Sequence, residues 1–158
     1  MMRIHLRLAC NSDRNTVLKI VEHVDVAPTL VLSSNSSGWQ YVETGLRNSS
    51  QQLYVASMPS FAKIVGGGRL EPGGFSYFVD PEWRQKGLGL EIARKLLAIY
   101  SCRVPGETIR LAIRRGNLPS IKIAEALGFQ FSGSDTLMPH ALMFELDLEC
   151  TRTAFHDV

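Results

Sequence analysis

The residues Val79–Leu90, VDPEWRQKGLGL, constrain this chain more than any other stretch. They set a strand end, a proline turn and a glycine-containing helix start in immediate succession. The first N–H groups of a helix have no partner inside it. Those of Gln85 to Gly89 would therefore converge on one point, where the helix dipole and the basic Arg84 and Lys86 add positive potential. Gly87 and Gly89 carry no Cβ, so a bulky ligand can come close to the backbone. A pyrophosphate suits such a point. The spacing R-x-x-G-x-G taken alone is equally compatible with a glycine-rich turn that merely starts a helix. Two other phosphate-binding loops fit poorly. The segment is not G-x-G-x-x-G and the strands before it read as antiparallel, and it lacks the G-K-[ST] ending of a nucleoside-triphosphate loop.

The rest of the chain reads as one domain over residues 1–158, with 149–158 as a loose tail. Its length lets one core bury about 68–70% of the unfolded surface. Ile4, Leu6 and Leu8 alternate with Arg3, His5 and Arg7, which predicts a half-buried first strand. Ser12 can cap a helix carrying Val17, Ile20, Val21 and Val24 on its apolar side. A second helix is expected over Gly38–Arg47, with Trp39, Val42 and Leu46 on one side. Apolar runs at Leu53–Ser57, Ala62–Val65 and Phe75–Val79, separated by Met58-Pro59 and by glycine turns at Gly66–Gly68 and Gly73-Gly74, predict an antiparallel meander. A long helix follows from Gly87 to Tyr100, buried along Leu88, Ile92, Leu96 and Ile99. After it come a strand at Thr108–Ile113, a helix at Leu118–Leu127 ended by Gly128, and strands at Phe129–Gly133 and Ala141–Leu148. This order is an α/β (α+β) architecture: a mixed, largely antiparallel sheet of about six or seven strands flanked by about four helices.

Composition narrows the partners. With 17 basic against 15 acidic residues and no long run of either sign, nothing argues for a nucleic-acid or membrane partner. No window nears the roughly 18 consecutive apolar residues of a membrane helix. Cys10, Cys102 and Cys150 are an odd set without metal-ligand spacing, read as buried thiols of a cytoplasmic protein. His5, His23, His140 and His156 show no ligand spacing either, so no metal is expected.

Val79-Asp80-Pro81-Glu82-Trp83-Arg84-Gln85-Lys86-Gly87-Leu88-Gly89 resembles the coenzyme-A-binding motif of the GNAT superfamily of N-acyltransferases. Downstream, Asn117-Leu118-Pro119-Ser120 followed by Ala124-Glu125-Ala126-Leu127-Gly128-Phe129 resembles the family's second segment, in the version closest to the branch that acetylates ribosomal-protein N-termini. Together with the strand–helix order, the resemblance covers about Leu53 to Leu148. It implies acetyl-CoA as co-substrate, with Arg84, Gln85, Lys86, Gly87, Leu88 and Gly89 around the pyrophosphate. Phe78 and Val79 would pair their backbone with the pantetheine arm, on a strand splayed from Thr108–Ile113. Asn117 would hydrogen-bond the cofactor or the strand beside it, or cap the following helix; the two roles are compatible. A backbone N–H near Val79 would stabilise the tetrahedral oxyanion.

The resemblance has one departure. Where many members carry a tyrosine that protonates the departing thiolate, this chain has Ala124. Ser120 is the nearest substitute, as general acid and cofactor contact. A thiol with a pKa of about 8.5 asks little of such an acid. The acceptor must lose a proton to a base, and Glu71 and Asp80 qualify by position, although each is ordinarily a solvated turn residue. Glu43, Glu145 and the histidines are weaker candidates. Trp39, Tyr41, Phe61, Tyr77 and Trp83 are available to line an acceptor pocket, with core packing as their commoner use. The predicted activity is transfer of an acetyl group from acetyl-CoA to a primary amine on a small molecule or peptide, without a covalent enzyme intermediate. The alternative is a catalytically weak acyl-CoA-binding or sensing module, which Ala124 favours. A homodimer is common in the family, but no interface is legible.

Overall fold

The computed structural model of the protein describes residues 3–30, 37–134, 136 and 138–148. Its strands are β1 (His5–Leu8), β2 (Leu53–Ser57), β3 (Ile64–Glu71), β4 (Gly74–Val79), β5 (Thr108–Arg114), β6 (Gln130–Ser134) and β7 (Ala141–Asp147). Its helices are α1 (Arg14–Val21), α2 (Gly38–Arg47), α3 (Leu88–Arg103) and α4 (Leu118–Ala126). The strands form one seven-stranded sheet in the order β1-β2-β3-β4-β5-β7-β6, antiparallel throughout except between β4 and β5. The predicted α/β architecture is therefore the observed one. Among the described residues no helix is long and apolar enough to cross a membrane.

Each face of the sheet carries a core. On one, Val17, Ile20 and Val21 of α1 and Tyr41 and Val42 of α2 pack on Leu53, Val55 and Phe78. On the other, Leu88, Ile92, Ala93 and Leu96 of α3 and Ala124 of α4 pack on Val65, Phe75, Ile109, Leu111 and Ile113. Strand alternation assigns successive residues to these two cores.

Several local expectations fail for identifiable reasons. The Gly66–Gly68 triplet is not a turn but the middle of β3. A Cβ at Gly68 would lie 2.4 Å from Leu96 Cδ1 and one at Gly66 2.9 Å from Ile92 Cδ1, so these glycines seat α3 against the sheet. Gly67 faces the other way, where a Cβ would lie 2.9 Å from Phe78 Cζ. The turn that does exist is Pro72-Gly73, a two-residue loop between Glu71 and Gly74 with Gly73 at φ 81°. Ser12 lies inside a single 3₁₀ turn, and Asp13 does the local capping. Its carboxylate accepts the Cys10 N–H at 2.9 Å and both Arg7 guanidinium nitrogens at 2.7 and 2.9 Å. Helix α1 then stops at Val21, leaving Val24 exposed. In α2 the buried side is Tyr41, Val42 and Gly45, whereas Trp39 is half exposed. Cys10 and Cys102 are exposed free thiols rather than buried ones: Cys10 lies in the capped turn and Cys102 on the outer side of α3. Cys150, His156 and the expected tail lie outside the described residues.

Candidate acyl-transfer cleft

The sheet opens between β4 and β5. These parallel strands meet at one position, Gly74 against Arg110, reinforced by the Arg110 N–H to Gly73 O bond of 2.8 Å. Beyond it they diverge, giving the splay that the resemblance implies. On its other edge β4 pairs with β3 along its whole length. The Asp80 N–H donates to Val65 O at 2.9 Å, which fixes the phase of that ladder. Phe78 turns its backbone to β3, while Tyr77 and Val79 turn theirs to the cleft. The Val79 backbone thus faces the side on which the resemblance implies a pantetheine arm. Phe78 does not: its backbone is used in the sheet, and its side chain is buried edge-on to Tyr41. Sequence reasoning missed Tyr77 as a backbone donor because ladder phase is set by a partner strand.

At the open end, Asp80 caps a 3₁₀ turn over Pro81–Trp83 by accepting the Glu82 N–H at 3.0 Å. The loop after it alternates in handedness, with Gln85 at φ 61° and Gly87 at φ 77°. Such alternation turns successive N–H groups inward to form an anion-binding concavity. The N–H groups from Gln85 to Leu90 find no acceptor among the described residues, and the first bond of α3 is Glu91 N–H to Gly87 O at 3.3 Å. These donors stand at the dipole-positive end of a long helix. The two glycines serve different ends. Gly87 is required by its left-handed backbone and has open space where a Cβ would lie. Gly89 is favoured by packing, since a Cβ there would lie 3.0 Å from Ile123 Cδ1 of α4 and that side chain would have to give way. Leu88 is buried in the core. Arg84 reaches back to donate to Asp25 O at 2.6 Å, tying the loop to the segment after α1. Lys86 is exposed and has no described partner.

Consecutive β4 side chains feed opposite faces of the cleft. Ser76 points towards α2. It donates to Glu71 Oε1 at 2.9 Å and lies 2.7 Å from the Tyr41 hydroxyl. The same Glu71 oxygen accepts from Arg69 at 3.0 Å, and the Arg69 guanidinium stacks over the Tyr41 ring at 4.2 Å. Burial, and then the neighbouring Glu71 charge, push the Tyr41 phenol well above its usual range. Tyr77 points towards α4, where its hydroxyl donates to Ser120 Oγ at 3.0 Å. Burial raises the Tyr77 phenol as well, so it stays protonated at neutral pH. Asn117 caps α4, accepting the Ser120 N–H at 3.4 Å.

Of the two predicted bases, Glu71 stands beside the closed end of the cleft, where Gly74 meets β5, and Asp80 stands at its open mouth. Glu43 is paired to Arg14 and Arg47, and Glu145 to Arg110. On the Glu71 face, a shallow depression of about 350 Å³ is lined by Arg110, Ser132, Met143 and Glu145. A larger one of about 520 Å³, at the C-terminal end of α2, contains none of the cleft residues. Among the described residues no histidine, cysteine and carboxylate group is arranged to hold a metal ion.

Comparison with known proteins gives this cleft its relatives. The sequence model of the acetyltransferase (GNAT) family matches residues 31–129. No curated protein matches the chain. Among solved structures, an acetyltransferase from Agrobacterium tumefaciens str. C58 superposes with a TM-score of 0.74 at 16% identity, covering 91% of this chain and 90% of its own. A spermidine N-acetyltransferase from Vibrio cholerae, crystallised with CoA and spermine, gives 0.75 at 14% identity, covering 92% and 96%. An aminoglycoside acetyltransferase in complex with coenzyme A gives 0.73 at 17% identity, covering 97% and 99%. At these identities the likeness is one of fold, while the sequence match spans more than half of the chain. The chain belongs to the GNAT acetyltransferase family.

Proposed function

We propose that the protein transfers an acetyl group from acetyl-CoA to a primary amine by direct attack within a ternary complex. The observation that carries this reading is the row of unpartnered N–H groups from Gln85 to Leu90 at the mouth of the β4–β5 splay. A pyrophosphate at that loop leads the pantetheine arm along the free backbone edge of Tyr77 and Val79 towards the closed end. Arg84, Gln85, Lys86, Gly87, Leu88 and Gly89 form the loop, and Asn117 and Ser120 approach from α4. Binding of CoA by relatives of the same fold agrees with this route.

Chemistry follows from the direction of entry. The thioester travels inward, away from Asp80 and towards Glu71, so Glu71 is the better base. The amine attacks the thioester carbon and loses its proton to Glu71, directly or through water. The oxyanion takes a hydrogen bond from the backbone of Tyr77 or Val79. As the C–S bond breaks, the electron pair stays on sulfur and Ser120 faces the departing thiolate. The acceptor is a small-molecule or peptide amine. Relatives crystallised with kanamycin and with spermine support the first class, and the likeness of Asn117–Ser120 to the ribosomal-protein branch supports the second. We place the reaction in the cytoplasm, where exposed free thiols such as Cys10 and Cys102 persist.

Thiol release from acetyl-CoA, measured over a panel of polyamines, aminoglycosides, amino acids and peptides, tests the reading. At least one amine should stimulate release with stoichiometric acetylated product. A protein that binds acetyl-CoA yet transfers to none of them would be a binding module instead.

A further inference from the structure

Tyr77 is the one residue of β4 that faces the cleft with its backbone and crosses to α4 with its side chain. The phenol ends 3.0 Å from Ser120 Oγ, and Ser120 sits in the first turn of a helix whose Ala124, one turn further on, is fully buried. Ser120 is held at two points, its N–H donating to Asn117 Oδ1 and its Oγ accepting from the Tyr77 hydroxyl. A hydroxyl that accepts from a phenol becomes a better donor through its own proton. With Oγ occupied as an acceptor, that proton is left to point at a third group.

We infer that Tyr77 is a positioning residue for coenzyme A release, fixing Ser120 so that its hydroxyl donates a hydrogen bond to the sulfur as the C–S bond breaks. The inference rests on the acetyl-CoA reading above. It supplies by two neutral hydroxyls the function that Ala124 cannot perform. The electron pair of the broken bond stays on sulfur, the Ser120 hydrogen bond stabilises the thiolate, and solvent then protonates it. No proton need leave Tyr77. Burial is the main reason its phenol is raised, and no charged group contributes to that shift. The phenol is therefore a neutral donor through the physiological range. The Ser76–Glu71–Arg69 charges lie on the opposite face of the strand and do not reach it.

The test needs no acceptor. Free coenzyme A is titrated in complex with the protein, following thiolate absorbance near 240 nm, for the wild type, Tyr77→Phe, Ser120→Ala and the double variant. A hydrogen bond to the thiolate should lower the midpoint of the bound thiol in the wild type, by about one pH unit relative to Ser120→Ala. Tyr77→Phe should lose part of that shift with its affinity for coenzyme A within twofold. The double variant should match Ser120→Ala, because Tyr77 acts only through Ser120. Equal midpoints in all four proteins, with coenzyme A bound, would overturn the inference. So would additive shifts, which would give Tyr77 an independent contact. Failure of the wild type to bind coenzyme A would instead overturn the reading on which the inference depends.

Discussion

The two faces of β4 are built from different materials. Towards α2, Ser76 joins a charged network in which Glu71 accepts from both Ser76 and Arg69, and Arg69 lies on the Tyr41 ring. Towards α4, Tyr77 and Ser120 make one contact between neutral hydroxyls beside an apolar core. Under the proposed function, the difference follows the charge each side would have to handle. An attacking amine arrives with a proton to lose, which calls for a carboxylate. A departing thiolate is already close to stable in water and calls for a donor that stays neutral. Adjacent residues of β4 reach the two settings by period-two alternation, Ser76 contacting Glu71 of β3 and Tyr77 contacting Ser120 of α4.

The comparison can be broken from the α2 face first. Glu71→Gln should lower kcat for the best amine by about 100-fold, with acetyl-CoA affinity unchanged in a binding titration. A fall shared equally by Asp80→Asn would deny Glu71 its special place. Next in size is Gly87→Leu, which forces a branched side chain into a left-handed backbone at a cost of about 1–2 kcal/mol. It should weaken acetyl-CoA binding by about tenfold and lower thermal stability by no more than that strain, because no neighbour lies within 4 Å of a Cβ at that position. The same substitution at Gly89 should destabilise the fold through Ile123 as well, and a thermal melt separates the two.

A control away from both faces comes from Asp13. Arg7 holds its carboxyl near a pKa of about 2, below the ordinary 3.8. A depressed carboxylate contributes stability that is present above the unfolded pKa and is lost as the pH falls through the folded one. Asp13→Asn should therefore lower stability by about 1 kcal/mol at pH 7, the shift being discounted for the partly exposed Arg7. That difference should vanish between about pH 4 and pH 2, and kcat should not move. The smallest effect is expected for Tyr41→Phe, which removes one donor to Ser76 and should reduce kcat by about threefold. A loss as large as that of Glu71→Gln would mean that Tyr41 takes part in proton transfer directly.

Much of this was legible before the fold was known, and the failures share a cause. The expected spans of Leu53–Ser57 and of about Gly38–Arg47 are the observed ones, although of Trp39, Val42 and Leu46 only Val42 is fully buried in the helix. The glycine triplet misleads because a turn and a close helix–strand approach ask for the same residue, and only Ile92 and Leu96 distinguish them. Trp39 and Tyr41 compete for one helical face, and a single short helix does not reveal its phase; Tyr41 wins because Arg69 and Phe78 lie beneath it. The anion loop was read from Gly87, Gly89 and the helix start, which are local features. Ser76 is not legible as a site residue, and Tyr77 is legible only as a side chain available to line a pocket, because the cleft they flank exists only where β4 parts from a strand some thirty residues further on in the chain. A serine between aromatics in FSYFV was the available signal.

Titration calorimetry of the protein with acetyl-CoA, run beside Gly87→Leu, tests the central claim most directly. Micromolar binding by the wild type that is about tenfold weaker in the variant is the expected result. Absence of binding to acetyl-CoA in the wild type, or equal affinity in the two proteins, would contradict the assignment of the Gln85–Leu90 loop and the β4–β5 cleft to this co-substrate.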